Sequence, residues 1–136
     1  MSIDTVRAIG SNTPWAVTMS DDLGHTWIGD EPESMGGANT GPSPSRLILS
    51  GLAACTVVTV QMYAARKQWP LAGIEVEVQW NPNGKPDDGA TEMSRRIHLV
   101  GELSSEQRER LLQIANACPM HKALTGTIRV PTELQD

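Results

Sequence analysis

Two cysteines are the residues in this chain best equipped for chemistry. Cys55 lies in "RLILSGLAACTVVTVQMYAARK", within nineteen uncharged residues from Leu47 to Ala65, and Cys118 lies in "NACPMHKAL". A thiol is a nucleophile or metal ligand only as thiolate. That form is favoured at a helix N-terminus or beside a cation and suppressed by apolar burial. Pro119 suits the first position of a helix, which puts Cys118 at the N-cap, facing free amide donors and the positive end of the helix dipole. His121 and Lys122 follow closely and add to that setting. Cys55 has only Ala53, Ala54 and Val57 nearby and no local cation. To react, it needs a charge delivered by another segment or another subunit. On local electrostatics, Cys118 is therefore the better nucleophile.

Blander readings stand beside this one. A lone cysteine in an alanine-rich helix is more often a small core filler than a catalyst. Cys118-x-x-His121 has the spacing of two metal ligands, but a structural zinc site takes four, and His25 and His98 are scattered. No metal is expected. A Cys–His hydrolase needs an oriented base, which residues three apart on one short turn rarely provide. Glu75 and Glu77 read as a solvated strand face, and Trp27 and Trp80 as core. Gly36-Gly37 is a turn signal without a phosphate-cradling motif, so no cofactor is expected either.

The rest of the composition narrows the class. The chain has 136 residues, enough for a single domain, 1–136, with an ordinary core. Four Trp, one Tyr and no Phe make that core aliphatic. A net charge of −5 without a basic run argues against nucleic acid as a partner. The opening "MSIDTVRAIGSNTPW" has no basic segment leading into an apolar one, which points to the cytoplasm, where paired cysteines are seldom structural staples. The uncharged stretch is borderline long enough to span a membrane, with Arg46, Arg66 and Lys67 at its flanks. Ser50, Gly51, Thr56, Thr59 and Gln61 interrupt it, and a buried central helix fits better.

The elements that must position the thiols follow from pattern. "WAVTM" and "HTWIG", separated by "DDLG", read as a hairpin, followed by the Gly/Pro/Ser-rich loop Asp30–Ser45. Ser43 as N-cap and Pro44 at the first position open a helix from about Pro44 to Gln68, stopped by Trp69-Pro70. Its apolar residues cover most of its circumference, so it should be buried on all sides. "IEVEVQW" alternates without a fault as a half-buried strand, and "RRIHLVGEL" is its antiparallel partner. Ser104 and Gln107 have capping-box spacing at the head of an amphipathic helix with apolar face Leu111, Leu112, Ile114 and Ala115. A short helical turn after Cys118 and a last strand, "GTIRV" (Gly126–Val130), close the chain. This order is α+β. One small sheet covers only one side of the long helix, so a second copy of the chain is the expected cover, in an obligate homodimer.

"GGANTGPSPSRLILSGLAACTVVTV", "IEVEVQW" and "ANACPMHKAL" together resemble the OsmC/Ohr family of thiol-dependent hydroperoxide reductases, over most of the chain from about Asp30 to Val130. The resemblance implies an OsmC-like intertwined homodimer, two long central helices wrapped by antiparallel sheets, with active sites at the interface. It implies Cys55 as the peroxidatic thiolate and Cys118 as the resolving thiol, the reverse of the electrostatic ranking. Organic hydroperoxides would be the substrates and a cellular dithiol the reductant. Efficient members of the family carry a glutamate beside the helix-opening proline, paired with an activating arginine. Here that segment is Pro44-Ser45-Arg46-Leu47, without a carboxylate, which leaves Arg46 or the earlier Arg7 as the cation. The departure keeps a rival in view: a non-enzymatic dimer of the same fold that binds a small molecule or thiol.

Overall fold

The computed structural model describes residues 3–135. The chain divides into two compact units, Met1–Ile48 and Leu49–Asp136. In the first, β1 (Val6–Gly10), β2 (Val17–Asp21) and β3 (Thr26–Gly29) form an antiparallel sheet in sequence order. The β2–β3 hairpin is the one its turn residues predict. Asp21 Oδ1 accepts from the Leu23 and His25 amides at 2.9 Å each, and Gly24 supplies the left-handed residue at φ +91°. β1, which carries no alternating pattern and is exposed throughout, is a strand that the sequence reading lacks.

The loop after β3 is ordered around one buried carboxylate. Asp30 Oδ1 accepts from the Glu31 amide at 2.7 Å, and Oδ2 accepts from the Thr40 amide and hydroxyl at 3.0 and 2.6 Å. These bonds hold the Asp30 carboxyl below its usual range, the Thr40 hydroxyl contributing most. Gly41 is required where the loop returns beside β3, because a Cβ there would lie 2.1 Å from the Ile28 carbonyl oxygen.

Helix α1 (Pro44–Lys67) starts at the expected proline, and Leu47 N donates to Ser43 O at 2.9 Å. The Ser43 hydroxyl accepts from Arg46 Nη1. The helix ends through Gln68, which is left-handed at φ +58° and lets Trp69 N reach back to Ala64 O at 2.9 Å. Within the second unit, β4 (Gly73–Trp80) pairs antiparallel with β5 (Met93–Val100). The capping box of α2 (Ser105–Ala115) forms as its spacing predicts: Gln107 N donates to Ser104 Oγ, and Ser104 N donates to Gln107 Oε1. Val60 and Ala64 of α1 and Leu111 and Ala115 of α2 make the core, with Ile74 of β4 and Ile97 and Leu99 of β5 packed against it.

Three expectations are corrected. Gly126–Val130 forms no strand, because no neighbouring edge completes a ladder for it among the described residues. Leu112 is exposed, since at its position α2 has turned away from the Leu111–Ala115 stripe. Trp80, at the end of β4, is also exposed, having run past the core. As expected for a helix covered on one side by its own chain, α1 is buried within one chain along a single stripe, Leu52, Thr56, Val60 and Ala64, at i+4 spacing. By length and composition α1 could cross a membrane, a test that the core helix of a soluble protein also passes.

Candidate functional site

The second unit brings the two thiols together. Cys55, in the middle of α1, is half-buried and hydrogen-bonds with Cys118, which is fully buried. Cys118 is the N-cap of α3 (Pro119–Thr125), where Sγ accepts from the His121 amide at 3.2 Å. The Cys-Pro dipeptide accounts for this local geometry. Proline at the first helical position leaves the preceding side chain to satisfy the free amides of the opening turn.

Thr56, next to Cys55 and facing inward, links the thiols to the sheet. Its hydroxyl donates to Leu52 O at 2.8 Å, accepts from Arg95 Nη1 at 2.9 Å and lies 3.9 Å from Cys118 Sγ. Arg95 is held on three sides: beyond Thr56, Nη1 donates to Ala115 O at 3.1 Å and Nη2 to Asn116 Oδ1 at 2.5 Å. The planar guanidinium fork suits this arrangement, giving fixed donor directions and a permanent charge.

Burial pushes the Cys118 thiol up. The His121 amide, hydrogen bonds with Cys55 and Thr56, and the charge of Arg95 outweigh it, so the net shift is downward. His121 is itself shifted down, by burial first and then by Arg95, so its ring is neutral near pH 7. It helps Cys118 through its backbone N–H.

Arg46 bonds to Ser43 within its own helical turn, at 3.0 Å, and Ser45 Oγ lies 3.4 Å from the same hydroxyl. Arg7 is exposed on β1, opposite Ser20. The cation that lies beside Cys118 is Arg95, on β5. A signal for it exists in the sequence: Arg95 shares strand parity with Ile97 and Leu99, so a charge sits in core register on β5 and must find buried partners. Thr56 and Asn116 have no comparable signal.

Among the described residues no three His, Cys, Asp or Glu side chains converge as a metal site.

Comparison with known proteins gives the family. A family model described as OsmC-like protein matches residues 36–133. The fold is similar to that of an OsmC-like protein from Mycoplasma pneumoniae, at a TM-score of 0.76 and 21% identity over 92% of this chain and 89% of that one. It is similar to an organic hydroperoxide resistance protein OsmC from Legionella pneumophila, at 0.68 and 21% identity over 93% and 91%. It also resembles the organic hydroperoxide resistance protein OhrB of Bacillus subtilis, at 0.62 and 24% identity over 92% of each chain. No match was found among curated protein sequences. With its α+β architecture, its two cysteines in contact and a family match across nearly three-quarters of its length, the chain belongs to the OsmC/Ohr family.

Proposed function

We propose that this chain, acting as one OsmC-like domain, reduces organic hydroperoxides with Cys55 as the attacking thiolate and Cys118 as the resolving thiol. The observation that carries the reading is the hydrogen-bonded pair of thiols, one mid-helix on α1 and one at the head of α3. Exposure divides the roles: Cys55 is partly open and Cys118 fully closed, so a peroxide meets Cys55 first. Attack on the distal peroxide oxygen releases an alcohol and leaves a sulfenic acid on Cys55. Cys118 condenses with it to a disulfide, and a cellular dithiol in the cytoplasm restores both thiols. The uncharged lining from α1 suits organic hydroperoxides over hydrogen peroxide.

The working form is a homodimer. Val58 and Met62 on α1 are 50% and 63% exposed within one chain, and Ile128 and Val130 stand exposed in the unpaired tail segment. Apolar residues exposed on a long helix, and in a segment without a ladder among the described residues, are what a second copy of the chain would cover.

Titration of free thiols after addition of cumene hydroperoxide tests the reaction. Wild type should lose both thiols rapidly, and neither Cys55→Ser nor Cys118→Ser should form the intramolecular disulfide. One observation favours a second reading, a binding module without turnover: Ser45 stands beside the helix-opening proline, and Arg46 bonds to a hydroxyl. Thiol loss in wild type no faster than in free cysteine would select that reading.

A further inference from the structure

We propose that the reducing dithiol attacks Cys55 and not Cys118: the mixed disulfide forms on Cys55, and Cys118 is the sulfur that leaves, into a site made by the opening turn of α3, Thr56 and Arg95. The inference rests on the two thiols closing to a disulfide, as the proposed function requires.

Access decides which sulfur is attacked. A thiolate displaces one sulfur of a disulfide by approaching in line with the bond, from the side away from the leaving sulfur, so the attacked sulfur must be open. Cys118 is 0% exposed within a single chain. A second copy of the chain adds cover and removes none, so this closure holds in the dimer as well. Cys55 is only half-buried, and the opening to the pair lies on its side.

The surroundings of Cys118 decide how well it leaves. A thiol departs faster when its anion is better held. As the N-cap of α3, Cys118 Sγ accepts from the His121 amide at 3.2 Å. The Thr56 hydroxyl lies 3.9 Å from the same sulfur and can rotate to donate to it. Arg95 Nη1 donates to Thr56 at 2.9 Å, and its permanent charge acts on Cys118. These groups belong to the chain itself and do not depend on what a second copy brings to Cys55.

The exchange balances. A thiolate of the reductant forms an S–S bond to Cys55 Sγ as the Cys55–Cys118 bond breaks, and Cys118 leaves as thiolate with the bonding pair. The second thiol of the reductant, deprotonated, attacks the reductant's own first sulfur. That closes the disulfide of the oxidised dithiol and releases Cys55 as thiolate. Two electrons pass from the dithiol to the cysteine pair, and the two protons it gave up to solvent are available to reprotonate the pair.

Trapping the mixed disulfide tests the assignment in the full chain. Wild type closed with diamide is mixed with excess 2-mercaptoethanol, quenched in acid at short times, denatured, labelled at free thiols and mapped by mass spectrometry. The 2-mercaptoethanol adduct is expected on Cys55 and the label on Cys118. An adduct on Cys118, or an even split, would overturn the proposal. Arg95→Gln should slow the loss of the disulfide, and Arg95→Lys, which keeps the charge, should restore most of the rate. Equal slowing in both variants would overturn the part given to that charge. Diamide closes the pair without peroxide, so inertness of wild type to cumene hydroperoxide would reject the peroxidase reading alone. A pair that diamide does not close would overturn both.

Discussion

Arg95 Nη1 donates to Thr56 Oγ1 across 2.9 Å, joining the core face of β5 to the buried stripe of α1 directly beside both thiols. Arg95→Gln keeps a planar donor group and removes the charge, which helps to lower the Cys118 thiol. The expected result is a Cys118 that needs a higher pH to ionise. Disulfide formation from the Cys55 sulfenic acid should then slow at neutral pH and recover as pH rises. Stopped-flow measurement of disulfide formation at several pH values checks this. A rate deficit that does not vary with pH would mean that the arginine only braces the fold.

The sign of the Cys118 shift also makes a statement about stability. A thiol lowered from its ordinary 9.0 on folding means that the native state holds the proton less tightly than the unfolded chain. The resulting stabilisation is fully present above the unfolded value, and it is lost as pH falls through the folded one. Urea unfolding of reduced wild type and Cys118→Ser should therefore give a stability difference that grows in favour of wild type as pH rises through this window. A constant difference would contradict the lowered Cys118 thiol.

Local rules made much of this site legible. Pro119 after Cys118 predicts the N-cap, and Ser104 with Gln107 predicts the capping box, because each depends on residues within one turn. The alternation of Ile74, Val76 and Val78 likewise finds β4. The meeting of Cys55 with Cys118 came only from family resemblance, since no spacing rule brings the middle of one helix to the head of another. The Arg95–Thr56–Asn116 network spans three elements and needs the tertiary register. The expected final strand was misread for a related reason: "GTIRV" has strand composition, but a ladder needs a second edge, and composition does not say which edge is available.

Val58 and Met62 provide the test of the dimer. Both are exposed apolar residues on α1, and neither belongs to the Val60–Ala64–Leu111–Ala115 core. Wild type should sediment as a dimer. Val58→Asp and Met62→Asp, which would each bury an unpaired carboxylate in the interface, should halve the sedimenting mass or leave the protein aggregated. A wild-type chain that sediments as a monomer would remove the proposed cover of α1.

Gly101, between β5 and α2, gives a prediction about the scaffold that aims α2 at the site. Its φ is +146°, and a Cβ there would lie 2.1 Å from Pro70 O and 3.1 Å from Ala72 N. Nearby, Ala72 N donates to Val100 O at 2.7 Å and Leu103 N to Gly101 O at 2.9 Å, so the backbone has bonds to lose on either side. Arg108 Nη2 also donates to Gly101 O, at 2.9 Å, tying α2 to this turn. Gly101→Ala must therefore shift backbone on both strands of the crossing. It should destabilise by more than the about 1 kcal/mol of a helix-interior glycine effect, because conformational strain and steric overlap act in the same direction. Chemical denaturation of the reduced variant measures the loss. A change within about 0.5 kcal/mol, the range of an ordinary surface substitution, would mean that the turn relaxes freely and does not fix where α2 begins.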